Sequence, residues 1–204
     1  MEGLRLNKSE LKRQRDQLKL YQRVLPSLDL KRRQLAIENE RCRTREGELR
    51  RALDELMGGI GAAIPMLANE SIDLLGLVRV VAVEVGSENV VGLELPTLAR
   101  LELADATYSY LVRPVWVDAV ADRLHEAVRL TLELAVAAER LKRVEYALKR
   151  ITQRVNLFER VLIPNAKTNI RRIEIALDDL AREAVVRSKI AKSRFGREAR
   201  GGGA

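Results

Sequence analysis

Only one cysteine (Cys42), one histidine (His125) and seven aromatic residues occur in this 204-residue chain. A lone cysteine excludes an intramolecular disulfide, and a lone histidine argues against a zinc site and against Ser–His catalysis. The cysteine usage also suits a reducing, cytoplasmic setting. Aromatics at 3% are too few for the core of a β-sandwich or a compact enzyme, yet apolar residues reach 47%, too many for a disordered chain. Charge recurs every few residues, so no apolar run approaches the ~20 residues that span a bilayer. The Met1-Glu2-Gly3-Leu4-Arg5 start lacks a secretory h-region. These features predict a soluble protein built on long helices, one that could sit beside a membrane within a larger assembly.

Lys and Arg are plentiful, and the net charge is +8. Residues 1–58 carry 15 Lys+Arg against 10 Asp+Glu, residues 59–117 carry 3 against 7, and residues 118–204 carry 19 against 12. Two basic arms therefore flank a mildly acidic centre. Such arms suit nucleic acid or an acidic protein partner. Interleaved acids such as Glu38, Glu40, Glu46 and Glu48 would repel phosphate, and they read as members of a solvated helix face.

The first arm carries a heptad seam. Alternating steps of three and four from Leu11 reach Gln14, Leu18, Tyr21, Leu25, Leu28, Arg32, Leu35, Asn39, Cys42, Glu46, Leu49, Leu53, Leu56 and Ile60. Ten of the fifteen are apolar, eleven with Cys42, which predicts a coiled-coil helix capped by Asn7 or Ser9. Cys42 falls on the seam, as a small buried apolar group. Gln14, Arg32, Asn39 and Glu46 are the polar members, and the last three, in succession on one of the two rows, either fix register or meet a third element. Pro26 should kink the helix without ending it, because the seam resumes in phase at Leu28. The cluster Gly58-Gly59-Ile60-Gly61 reads as the helix end, not as a phosphate loop, because no Gly-Lys-Ser/Thr follows it.

The centre changes character. VRVVAVEV (78–85) and VVGLEL (90–95) read as strands joined through a Gly86-Ser87-Glu88-Asn89 turn, with Pro96 ending the second. A lone hairpin is marginal in water, so a small head containing Ile64 to Leu67 and Leu98 to Leu103 is expected to support it. A second seam then follows Asp118, a plausible N-cap. It runs Val120, Leu124, Ala127, Thr131, Leu134, Ala138, Leu141, Val144, Leu148, Ile151, Val155, Phe158 and Leu162, then Ala166, Ile170, Ile173, Leu177, Leu180 and Ala184. The two consecutive fours at 162–166–170 form a stutter beside Pro164. The expected fold is mainly α, a long antiparallel two-helix coiled coil with a small central head containing a β-hairpin. Its expected segments are 1–58, 59–117 and 118–195, with a disordered tail at 196–204.

No nucleophile–base pair can be named. His125 reads as a core-edge or partly exposed residue, and Asp178-Asp179 as solvated ions. No cofactor, metal or catalytic residue is expected, so the chain reads as non-enzymatic.

Leu18-Lys19-Leu20-Tyr21 and Leu28 to Leu35 (LDLKRRQL) resemble the first helix of the D subunit of the V-type and A-type rotary ATPases and ATP synthases. Glu88 to Pro96 (ENVVGLELP) is similar to that family's central Glu-Asn-x-x-Gly-x-x-x-Pro segment. Thr152 to Pro164 (TQRVNLFERVLIP) is similar to its Arg-Val-Asn-x-x-Glu-x-x-x-Ile/Leu-Pro motif. The likeness runs in order from about Asn7 to Arg194. Pro26 and the glycine-ended tail depart from the family pattern. The resemblance implies a non-catalytic central rotor shaft that binds no nucleotide and lies in the cytoplasmic, soluble sector. Its implied partners are the catalytic A and B subunits, the F subunit, and the C (or d) subunit that caps the membrane ring. It implies no nucleic acid and no membrane insertion. Candidate interface residues are Arg32, Asn39 and Glu46 toward the F subunit, Glu88 and Asn89 in the hairpin, and Arg154, Asn156 and Glu159 in the third motif.

Overall fold

A computed structural model describes residues 4–63, 77–105 and 116–201. Helix α1 spans Lys8–Ala63 and strands β1 and β2 span Val78–Val90 and Leu93–Asp105. Helix α2 spans Trp116–Leu157, a π turn follows at Phe158–Leu162, and α3 spans Ile163–Gly201. Among the described residues the chain is thus mainly α, with one antiparallel two-stranded hairpin. Among the described residues, no helix is long and apolar enough to cross a membrane.

Helix α1 begins where the Asn7 side chain accepts the Glu10 N–H at 2.7 Å, an N-cap that satisfies one of the orphan donors of the first turn. Every seam residue from Leu11 to Leu56 is buried or half-buried, while Leu20, Leu30 and Ile37, off the seam, are exposed. Pro26 lies inside the helix without ending it. The helix also runs through Gly58 and Gly59 to Ala63, where an end was expected. Neither glycine takes the positive φ of a helix cap, so nothing local diverts the chain there. Helix α2 starts at Trp116, two residues ahead of the expected cap. Asp118 instead lies in the first turn, where a carboxylate suits the positive end of the helix dipole. Helix α3 continues to Gly201 through the stretch expected as a disordered tail; Arg197-Glu198-Ala199-Arg200 are all good helix formers.

Two compact units result, one of residues 1–30 with 152–204 and one of residues 31–151. In the first, Arg15 pairs with Glu174 at 2.5 Å, and Tyr21 meets Phe158 edge to face with centroids 5.4 Å apart. The α1 numbers rise as the partner numbers fall, so the pairing is antiparallel. Val155, Ala166 and Ile173 are its buried apolar positions. In the second unit, Glu38 pairs with Arg140 and Arg45 with Glu133, again antiparallel. Leu35, Cys42, Leu49, Val144 and Ile151 are buried there.

The third-segment seam is buried only in part. Thr131 and Ala138 are exposed, and every residue from Asp178 to Lys192, Leu180 and Ala184 included, is exposed.

The hairpin exists but its turn lies elsewhere. Val91 and Gly92 form a two-residue loop with φ of 55° and 74°, the type I′ geometry whose twist matches that of the strands. The Gly92 N–H donates to the Asn89 side chain at 3.0 Å. Gly86 to Asn89, expected as the turn, pair with Thr97 to Glu94 inside the ladder. Gly86 fits there because a Cβ would lie 3.1 Å from the Thr97 hydroxyl. Pro96 likewise sits within β2, opposite Ser87, which a two-stranded sheet permits because each strand keeps an open edge. Irregularities at Val80/Ala82 and Glu84/Val85 shift the register. The expected support from Ile64 to Leu67 lies outside the described residues.

Val91 is a β-branched residue held at positive φ, a conformation that costs of order 1–3 kcal/mol and that asparagine tolerates better. Val91→Asn should therefore raise stability by about 1 kcal/mol in urea melts. Its half-buried side chain also loses little packing.

Candidate functional site

The densest polar arrangement among the described residues gathers on Arg140. Its Nη2 donates to Glu38 Oε1 at 2.8 Å and its Nη1 to Glu88 Oε2 at 2.8 Å. One guanidinium therefore ties α2 to α1 and to β1. The fork geometry makes this possible, because arginine offers separate donors to separate carboxylates. The Glu38 residue is only 8% exposed, and the Arg140 side chain 21%. Burial pulls the guanidinium pKa down, but the hydrogen bonds it donates to Glu38 and Glu88 outweigh it, so the net shift is upward. Arg140 stays charged at any working pH.

Beneath this polar hub lies an apolar cluster of Cys42, Leu95 and Val144, with Val90, Leu93 and Leu141 packed against it. The hairpin tip is thus seated on both helices by burial and anchored by charge. Alongside, Arg143 Nε pairs with Glu139 at 2.9 Å and holds that carboxyl below its ordinary range. Arg43–Glu145 at 3.1 Å and Arg45–Glu133 at 3.2 Å flank the seam. Such exposed pairs each contribute about 0–1 kcal/mol and act more on register than on stability. A cleft of about 240 Å³ beside the hub is lined by Glu38, Arg41, Cys42, Arg45, Ala137 and Arg140.

The Cys42 Sγ donates to Glu38 Oε1 at 3.6 Å and is buried. Burial raises its pKa above the ordinary 9.0, an effect the Arg140 hydrogen bond partly offsets. The neutral thiol therefore dominates near neutral pH, and alkylation of native protein at pH 8 should run at least about a hundredfold slower than in urea. Because the folded pKa is the higher one, the thiol's contribution to stability is complete below pH 9 and is lost as pH rises through the folded value. A titration of stability between pH 8 and 11, compared with Cys42→Ala, reads that loss.

The expected interface residues separate into two groups. Arg32, Asn39, Glu46, Glu88 and Asn89 belong to the unit of residues 31–151, and Arg154, Asn156 and Glu159 to the other. Arg32 is half-buried. Asn39 is half-buried, with its Oδ1 buried and lacking a hydrogen-bond partner among the described residues. Glu46 pairs with Arg50 at 3.5 Å along α1. Glu88 joins the Arg140 hub, while Asn89 shapes the turn. Arg154 and Glu159 are exposed and Asn156 is half-buried; Glu159 lies in the π turn.

Sequence reasoning missed Arg140 and misread Glu38, which is buried and paired where a solvated acid was expected. The signal that could have found Glu38 was its place next to seam residue Asn39, four residues before Cys42. Among the described residues, no group of three or more His, Cys, Asp or Glu side chains is placed to hold a metal ion.

Long helices carrying a hydrophobic seam, with a hairpin seated on them, define a coiled-coil protein with a small β element. The family model for the D subunit of ATP synthase matches residues 10–193, and the chain belongs to that family. It is 34% identical to the V-type ATP synthase D subunit of Borreliella burgdorferi over 193 residues, 95% of each chain. It is also 30% identical to the V-type ATP synthase D subunit of Chlamydia muridarum over 202 residues, covering 94% of this chain and 96% of that one. The chain is therefore a rotary ATPase subunit.

Proposed function

We propose that this chain is the central rotor shaft of a V/A-type rotary ATPase or ATP synthase. It couples nucleotide chemistry in the A/B catalytic hexamer to ion movement through the membrane ring, and it holds no nucleotide itself. The observation that carries the reading is the family match over residues 10–193. The same residues include helices of 56 and 42 residues, the first with a seam buried or half-buried along its length and the second with a seam buried in part. Stiff paired helices transmit torque without an active site. The charged outer faces suit a bearing, because exposed ion pairs are individually weak and exchangeable. Different faces would then bias the nucleotide affinity of successive catalytic interfaces by their differential contact energies.

In this reading Arg32, Asn39 and Glu46 contact the F subunit. Glu88 and Asn89 hold the hairpin in the shape that seats the F subunit or the ring cap. Arg154, Asn156 and Glu159 either face a partner or lock the helix pair. The shaft sits at the cytoplasmic face, peripheral to the membrane.

Affinity purification of the tagged chain from its own cells, with nuclease added, tests the partners. Copurification of the A, B and F subunits and the ring cap in fixed ratio is expected. Recovery without them, or salt-sensitive recovery of nucleic acid alone, would contradict the reading.

A further inference from the structure

The break in the long C-terminal helical stretch lies at one place, and two independent features put it there. Phe158, Leu162, Ala166 and Ile170 are spaced by four three times running, and none of them is exposed. Keeping them on one face takes twelve residues in three turns, whereas three α turns take about 10.8. The surplus is about one residue, which is what a single π turn absorbs. The π turn lies within that run, at Phe158–Leu162, with the Ile163 N–H donating to the Phe158 carbonyl.

The second feature is Pro164, two residues further on. It has no N–H for the carbonyl of Glu159 or Arg160, so the ladder loses a bond beside the widened turn. The Thr168 hydroxyl donates to the Pro164 carbonyl at 3.0 Å, a back-bond that bends helices further. Glu159, Arg160 and Val161 of the π turn are exposed and Phe158 and Leu162 half-buried, so packing holds the turn from one side only.

We propose that residues 158–164 form a locally compliant joint, at which the widened turn opens and closes while the seam on either side, Val155 before it and Ala166 and Ile173 after it, stays packed. This rests on the rotor reading only for its use, namely letting the exposed faces of α3 adapt to a partner as the shaft turns. The joint itself is a property of the chain alone. Tyr21, packed edge to face on Phe158, limits the movement on one side.

Hydrogen exchange on the full chain reads the joint directly. Amides of 158–163 should exchange at least about tenfold faster than those of 151–155 and 170–174. Two variants remove its two causes. Pro164→Ala restores the missing donor at an exposed position. Deletion of exposed Val161 takes out the surplus residue and leaves the seam spacing at three, four and four. Each should slow exchange at 158–163 by about tenfold without loosening the flanking turns. Uniform protection from 151 to 174 in the native chain would overturn the proposal, as would variants that leave the local rates unchanged. A null result in rotation with altered exchange would count against the rotor reading alone.

Discussion

Arg140→Ala should lower stability by about 2–3 kcal/mol, equivalent to a fall in Tm of roughly 5–10 °C for a chain of this length. The loss is large because the guanidinium serves two carboxylates at once, each at 2.8 Å. Its removal strands Glu38, which is buried and retains, among the described residues, a weak thiol donor in Cys42 at 3.6 Å and a distant Arg41 at 3.9 Å. The Glu88 carboxylate is exposed and returns to water at little cost, so most of the effect comes from Glu38. The test of that division is Glu38→Gln in the Arg140→Ala background. Neutralising the stranded acid should recover more than half of the loss, whereas Glu88→Gln should recover little. Arg140→Lys keeps the charge and loses the fork, and should fall between the two. Calorimetry or urea melts on these four variants and the native chain read the whole set.

Leu95→Ala should cost about 2–4 kcal/mol and should detach the hairpin tip. Leu95 is fully buried between Cys42 and Val144, and a methyl in its place leaves a cavity bordered by both helices. The same substitution leaves the Arg140–Glu88 pair without its apolar floor. Hydrogen exchange should therefore rise first at Glu88 to Leu95 and only later in the seam around Leu35. A loss spread evenly over the unit would contradict the assignment of Leu95 as the anchor of the hairpin. The two substitutions share the contact region, so their effects should not add.

The helices were legible because one physical demand, burial of a stripe, repeats every 3.5 residues for many turns. Each described member of the first seam, from Leu11 to Leu56, avoids solvent. The hairpin was legible from its β-branched runs, but its turn was not. Gly86-Ser87-Glu88-Asn89 has the more turn-like composition, whereas Val91-Gly92 makes the turn against the preference of valine. There the registry of the whole ladder, with Leu95 seated on the helices, outweighs a local conformational cost. The stutter was visible at Leu162-Ala166-Ile170, though not its resolution into a π turn. Arg140 was illegible for a different reason. A solvated arginine and one bridging three elements have the same spacing along a helix, and only the folded chain distinguishes them. The glycines at 58 and 59 misled similarly, since a run of small residues ends a helix only where the chain has somewhere else to go.

A rotor shaft must turn within the catalytic hexamer. The direct measurement fixes the A/B hexamer to a surface and attaches a bead to the chain through Glu84→Cys, at an exposed position on β1, with Cys42 buried and slow to react. On adding ATP, the bead should rotate in one direction in three equal steps per revolution. ATP turnover with the bead stationary, or a hexamer whose turnover is indifferent to omission of this chain, would contradict the account.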